Sequence, residues 1–256
     1  MQNNTFSTLF VGQNLIKLSE VDSTNNFLKG LVSNSEPLPE GTVIMADNQF
    51  AGRGQQQNSW VAEPGKNLTF SLYFKPTFLN IQQQFLFNMA ISNGLAEALT
   101  TILGAGVKIK WPNDIYYNDQ KLVGILIENL ISGHTYKSSI VGIGINVNQQ
   151  KFDPALKNRA TSIWQILQKD VSLMGLLSEI CNHIEADYLR LKADRYIYLQ
   201  KAYLEKLYRF GALHNYRHNG EIFEGRIVNV KENGAIVLEI GETEKDFLFK
   251  EVEFII

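Results

Sequence analysis

Apolar residues recur along this chain in two rhythms, and the switches between them divide it into elements. Short apolar runs bounded by polar or Gly-rich turns predict strands at residues 10–18, 41–49 (GTVIMADNQ), 68–74 (LTFSLYF), 107–111 (VKIKW), 121–131 (KLVGILIENLI) and 136–148 (YKSSIVGIGINVN). WPND and YYNDQK read as the turns between the strands around them. Helical spacing takes over at residues 80–103, where Ile81, Phe85, Met89, Ile91, Leu95, Leu99 and Ile102 form a core stripe ended by Gly104 and Gly106. It returns from Thr161 to about Tyr208, with a break near Asp170. SEVDSTNNFLKGLV predicts a strand end running into a capped helix, with Phe27, Leu28, Leu31 and Val32 buried. Beyond residue 210 the runs EIFEGRIVNV, GAIVLEI and DFLFKEVEFII are separated by the turns HNG, ENG and GETEK. Fewer than 50 residues in three or four strands predict a small β-barrel or curled sheet that leans on its neighbour. The expectation is an α+β protein, a mixed sheet flanked by helices over residues 1–209 with a small β domain over 210–256.

Composition narrows the function classes. With 256 residues and 45% hydrophobic content the chain is long enough for a substantial core. A formal net charge of −2 gives no electrostatic case for generic nucleic-acid binding. Cys181 is the single cysteine, which excludes an internal disulfide, a Cys/His zinc spacing and a thiol-redox pair. The start MQNNTFSTLFVGQNLIKL lacks a basic-then-apolar leader, and no run approaches the ~18 apolar residues of a membrane span. A soluble cytoplasmic protein without membrane or DNA partners is expected.

Candidate chemistry concentrates in KWPNDIYYNDQKLVGILIEN, residues 110–129. Lys110, Asp114 and Lys121 stand at the ends of strong elements, and Gly124 interrupts an apolar strand, as a close ligand or backbone requires. A plain hairpin with lysines guarding its edge explains the same pattern. In AGRGQQQNSW, residues 51–60, Gly52 and Gly54 flank Arg53 and let backbone N–H groups face an anion, whereas a flexible surface turn accounts for them equally. Neither a Walker loop nor G-x-G-x-x-G is present. Gly142 and Gly144 strip one face of their strand, with Asn146 at its polar end. Ser23, Thr24 and Asn25 cap a helix or face a ligand. His183 sits on a helix at apolar-rich spacing and reads as structural.

Taken together, SEVDSTN, AGRGQQQNSW, KWPND with K-x-x-G-I-L, and VGIGINVN resemble the biotin protein ligases, clearly over residues 19–148. That resemblance implies a class II synthetase-like catalytic domain followed by an SH3-like barrel. It implies an enzyme that uses ATP to convert biotin to biotinyl-5'-AMP, then passes biotin to a lysine of a biotin carboxyl carrier protein. Ser23, Thr24, Asn25 and Gln49 match positions around the biotin head group, and Gly52 and Arg53 match the loop that closes over biotin and adenylate. Lys121 matches the lysine bridging the biotin carboxylate and α-phosphate, and Gly124, Gly142 and Gly144 match the bare strand surfaces beneath. Gln55, Trp60, Lys110, Asn113 and Asn146 fall on the ATP side, Trp60 as a cover and Asn146 near the adenine. Asp114 matches the acidic residue of the signature turn, with metal binding, the acceptor lysine or loop architecture as its role. Mg²⁺ is expected with the ATP, its ligands unassigned, and pairing of subunits by sheet extension is a further implication.

Two departures stand out. The family loop commonly runs GRGRRGRxW, and here Gln55, Gln56 and Asn58 replace arginines while Gln57 replaces a glycine. Arg53 and Lys121 are thereby expected to carry more of the phosphate charge. The chain also starts at the catalytic domain, so a ligase without the repressor's helix-turn-helix is expected. The rivals are a lipoate- or octanoate-protein ligase or transferase on the same scaffold, which would want a longer apolar tunnel, and a non-catalytic biotin-binding module.

Overall fold

The apolar runs pair into two sheets. The computed structural model describes residues 6–33, 37–55, 58–133 and 135–255. Gln56 and Gln57, positions 34–36 of the expected loop, and His134 of the expected turn lie outside them. In chain order the first part comprises β1 (Leu15–Val21), α1 (Thr24–Ser33), β2 (Val43–Gln49), β3 (Leu68–Phe74), α2 (Gln84–Leu103), β4 (Val107–Lys110), β5 (Asp114–Tyr117), β6 (Gln120–Ser132) and β7 (Thr135–Ile145). These strands form a seven-stranded sheet in the order β1-β2-β3-β7-β6-β5-β4. It is mixed: β1 and β2 run parallel, joined by the α1 crossover, while the other neighbours are antiparallel.

Helices α3 (Ile163–Leu167), α4 (Leu173–Lys192) and α5 (Tyr196–Lys206) follow. Helix α2 is buried along most of its length and packs on α4 and α5, which is why its sequence is apolar nearly all round. The strands β8 (Leu213–His218), β9 (Glu221–Val230), β10 (Ile236–Ile240), β11 (Thr243–Phe247) and β12 (Glu253–Phe254) complete the chain. They form an antiparallel sheet ordered β11-β10-β9-β8-β12, consistent with an SH3-like domain. No pairing of β11 with β12 closes it into a barrel among the described residues.

Both sheets share one apolar core. Tyr216, Ile227, Ile236 and Phe254 belong to the cluster that contains Phe85, Trp111 and Tyr208. The Trp111 indole N–H donates to the Gly234 carbonyl at 2.9 Å, and Tyr208 stacks on Phe254.

Four expectations need correction. The first strand begins at Leu15 rather than residue 10, because the buried Glu185 carboxylate on α4 accepts the backbone N–H groups of Leu9, Phe10 and Val11 at 2.7–2.9 Å. Those donors are thereby removed from sheet pairing. The WPND-to-YYNDQK stretch is not two turns but contains the short strand β5, with Lys110 opposite Asp114. A second helix break falls at residues 193–195, where Asp194 has φ 56°. Finally, most of GETEK is strand β11.

Candidate active site

The central face of the large sheet is built from strands with missing side chains. Register places Gly124 opposite Gly144, Leu126 opposite Gly142 and Glu128 opposite Ile140 on β6 and β7. Alternation along β6 puts residues 124, 126 and 128 on the same face. Two groups press into the space left by the glycines. A Cβ on Gly144 would stand 2.6 Å from Trp60 Nε1, and one on Gly124 would stand 3.1 Å from the same ring. A Cβ on Gly142 would come within 2.9 Å of Asn25 Cγ. The expected bare strands are therefore covered by Trp60 and Asn25.

The described part of the 51–60 loop, residues 51–55 and 58–60, is a small flap folded on itself. The Trp60 N–H donates to the Gly52 carbonyl at 2.9 Å, the Gly54 N–H to the Asn58 carbonyl at 2.7 Å, and Arg53 bridges to Ser59. Gly52 lets the stem close, because a Cβ there would overlap the Trp60 carbonyl. Trp60 Nε1 is buried against the sheet without a hydrogen-bond partner.

Beneath the flap lies a cavity of about 160 Å³. At one end Gln49 Oε1 accepts from the Thr24 N–H and hydroxyl at 2.8 and 3.0 Å. The Ser71 hydroxyl on β3 lies 2.7 Å from Thr24 Oγ1 and 2.6 Å from Asn25 Oδ1. Ser23 completes this polar end. Thr24 and Asn25 sit in the first turn of α1, so this helix start supplies cavity groups, while Asp22 accepts from Asn26 at 2.7 Å. That bond holds the Asp22 carboxyl below its usual range.

At the other end stands Lys121. Its backbone is pinned on the side away from β5, where its N–H donates to the Arg159 carbonyl and its carbonyl accepts from Thr161. Its Nζ lies 2.7 Å from Asp114 Oδ2. Arg53 is also paired, through Nη2 to Glu128 Oε1 at 2.8 Å and Nη1 to Asn26 Oδ1 at 2.7 Å. Glu128 further accepts from Lys29 at 2.8 Å and Asn25 at 2.9 Å. Burial pushes its carboxyl up, but these hydrogen bonds outweigh it and the net direction is down.

Of the positions singled out by sequence, Ser23, Thr24, Asn25, Gln49, Arg53, Gln55, Trp60, Asp114, Lys121, Gly124, Gly142 and Gly144 line this one cavity. Lys110 lies outside it, in a groove of about 970 Å³ between the sheets that also contains Gln55, Asn58 and Asp114. Its ammonium sits over the Tyr116 and Phe254 rings at 4.8 and 5.5 Å. Burial lowers its pKa, and Lys121, Arg209 and Arg159 add to the effect against the pull of Asp114. Asn113 faces a third hollow and accepts from Gln55 Nε2 at 3.0 Å. Asn146 is buried apart from the cavity lining, its amide donating to the Thr161 carbonyl at 3.0 Å. Ser71 and Glu128 escaped sequence reasoning. The signal each offered was a polar residue inside an otherwise apolar strand.

The arrangement joins a compact hydrogen-bonding pocket to a pair of cations under a cover formed by the flap and Trp60. Among the described residues no cluster of three or more His, Cys, Asp or Glu side chains is present, and no helix is long and apolar enough to cross a membrane.

Residues 18–146 match the model of the biotin/lipoate A/B protein ligase family. The bifunctional ligase/repressor BirA of Bacillus subtilis (strain 168) is 31% identical over 251 residues, spanning 96% of this chain and 75% of that protein. The biotin–[acetyl-CoA-carboxylase] ligase of Paracoccus denitrificans is 34% identical over 133 residues, 51% of this chain and 53% of that one. Among solved structures, the Aquifex aeolicus biotin protein ligase in complex with biotin and ATP superposes with a TM-score of 0.78 at 29% identity, covering 94% of this chain and 97% of its own. The chain belongs to the biotin/lipoate A/B protein ligase family.

Proposed function

We propose that this protein is an ATP-dependent biotin–protein ligase. The biotin carboxylate attacks the α-phosphorus of ATP, pyrophosphate leaves, and a lysine amine of a biotin carboxyl carrier domain then attacks the acyl carbon of biotinyl-5'-AMP. AMP departs and the ammonium proton is released. The observation that carries this reading is the union, in one cavity, of the Ser23–Thr24–Asn25–Gln49 polar end with the Lys121–Asp114 pair. The Paracoccus relative, named as a biotin ligase, supports it, as does the Aquifex neighbour's complex with biotin and ATP.

A short hydrogen-bonding pocket suits a ureido ring, whereas a lipoyl or octanoyl chain asks for an apolar tunnel. The first step needs no general base, because a carboxylate is already ionised at neutral pH. It needs like charges brought into line, a task for Lys121 and the flap N–H groups. Trp60 Nε1 offers a buried donor still open to an acceptor on the bound intermediate. Asp114 is the one carboxylate among the lining residues, in place to take the proton of the incoming ammonium.

One carboxylate, already paired with Lys121, does not make a resident metal site, but it fits a divalent ion carried by nucleotide phosphates. Mg²⁺ bound in that way supplies charge neutralisation at the phosphates. Closure of the flap keeps water from the mixed anhydride.

Biotin-dependent ATP–pyrophosphate exchange tests the proposal. Wild-type protein should exchange with biotin and not with lipoate. Lys121→Ala should lose exchange while retaining the wild-type melting profile. Exchange near the wild-type rate in Lys121→Ala would remove the lysine from its role.

A further inference from the structure

We infer that Glu128 is a positioning residue, whose carboxylate locks Arg53 of the flap and Asn25 of α1 to the sheet so that the flap stays down over the adenylate. The inference rests on the ligase reading above.

Glu128 ends the row Gly124, Leu126, Glu128 on the cavity face of β6. Its two oxygens bind four donor groups from two other elements. Oε1 takes Lys29 Nζ and Arg53 Nη2, both at 2.8 Å, and Oε2 takes Asn25 Nδ2 at 2.9 Å and Arg53 Nη1 at 3.3 Å. Asn25, held from this side by Glu128 and from the other by Ser71, is the group that occupies the space over Gly142. Arg53, held by the same carboxylate, belongs to the stem that brings Trp60 onto Gly144 and Gly124. One acidic side chain thus ties together both groups that cover the stripped strands.

Both Arg53 η nitrogens are engaged, one with Glu128 alone and the other with Asn26 as well. In this arrangement the guanidinium works as an anchor for the flap and leaves Lys121 as the cation at the other end of the cavity. A stability role alone would leave a different signature. The pair is partly exposed, 38% at Arg53 and 17% at Glu128, and such pairs contribute only ~0–1 kcal/mol to folding. A flap anchor instead changes how long a ligand beneath the flap is retained.

The test loads the protein with biotin and ATP in the presence of pyrophosphatase and measures release of biotinyl-5'-AMP. Glu128→Gln keeps the shape but loses the charge and one acceptor. It should speed release about tenfold, equivalent to ~1.4 kcal/mol, and raise the KM for biotin. Single-turnover transfer from preformed adenylate to an acceptor should stay at the wild-type rate. Arg53→Met should speed release similarly, and the double variant should release no faster than the quicker single one. Release by Glu128→Gln within twofold of wild type, or additive effects in the double variant, overturns the inference. If Glu128→Gln does not fold, Arg53→Met decides, and wild-type retention by that variant overturns it. Wild-type exchange separates this failure from failure of the ligase reading, since only the latter abolishes biotin-dependent exchange in the unmodified protein.

Discussion

Gly144→Ala is the sharpest probe of how the flap covers the sheet. Gly144 lies in the middle of the large sheet, opposite Thr69 on β3 and Gly124 on β6, with backbone torsions an alanine accepts. The new methyl would stand 2.6 Å from Trp60 Nε1, against the ~3.5–4.0 Å of ordinary contact. The ring must withdraw by about 1 Å, and it can, because it rides on the flap and not on the core. Overpacking of this kind costs ~1–3 kcal/mol, so the effect falls on ligand binding and not on folding. The KM for biotin in the exchange assay should rise about five- to 150-fold, with the melting temperature close to wild type. Gly142→Ala supplies the contrast. There the methyl meets Asn25, which Glu128 and Ser71 hold from two sides, so the strain cannot be shed by the flap and stability should fall too. An unchanged KM in Gly144→Ala would refute the placement of the indole against β7 in the working enzyme.

Three other outcomes are expected. Gln55→Arg restores a cation at the point where the cavity, the inter-sheet groove and the third hollow meet, and should lengthen retention of biotinyl-AMP; unchanged dissociation would count against the charge deficit of the flap. Trp111→Phe strips the Gly234 carbonyl of its buried donor and should lower stability by ~1–3 kcal/mol in denaturant unfolding, a loss absent if the two sheets were only loosely joined. The Glu128 carboxyl is held below its ordinary value of 4.5, so its pairings favour the folded state above 4.5 and fade as pH falls through the lower folded value. Adenylate release should therefore be flat from neutral pH to about 4.5 and accelerate only below it, whereas acceleration near pH 6 would point to another group.

Much of the architecture was legible because single periodicities dominate it. The strand at 68–74 is buried throughout, the strand at 43–49 over its apolar first half and the helix at 84–103 over most of its length, so an apolar pattern dominates each. Elements misplaced by sequence are those whose backbone partners come from far away. Residues 10 and 11 look like strand until the Glu185 carboxylate, more than 170 positions later, takes their N–H groups. Strand β5 hides because its four residues lie between turns and alternate too briefly to register. The candidate site was legible in its glycines, its flap and its lysine, all of which carry local signals. Glu128 and Ser71 gave only a polar letter in an apolar word, and their meaning depends on Asn25, about 100 and 46 positions away.

The pairing of both expected phosphate cations is the feature that sequence could not supply, and it bears directly on the chemistry. A lysine left bare under a flap would lose hydration without gaining a counter-ion, at a cost of several kcal/mol. Lys121 avoids this by holding Asp114 at 2.7 Å, and Arg53 by holding Glu128 at 2.8 Å. The two pairs differ in what surrounds the carboxylate. Asp114 opens on the inter-sheet groove as well as the cavity, so it can turn toward other donors when an anion reaches Lys121. Glu128 is held by three side chains from two other elements at once, and removing Arg53 from it would leave Lys29 and Asn25 still in place. Exchange of one anion for another at Lys121 is nearly neutral in charge and exposes no naked ion, whereas the Glu128 junction has no comparable release. On the proposed reading, the same ionic chemistry would serve reaction at one end of the cavity and closure at the other, with the surrounding hydrogen bonds deciding which.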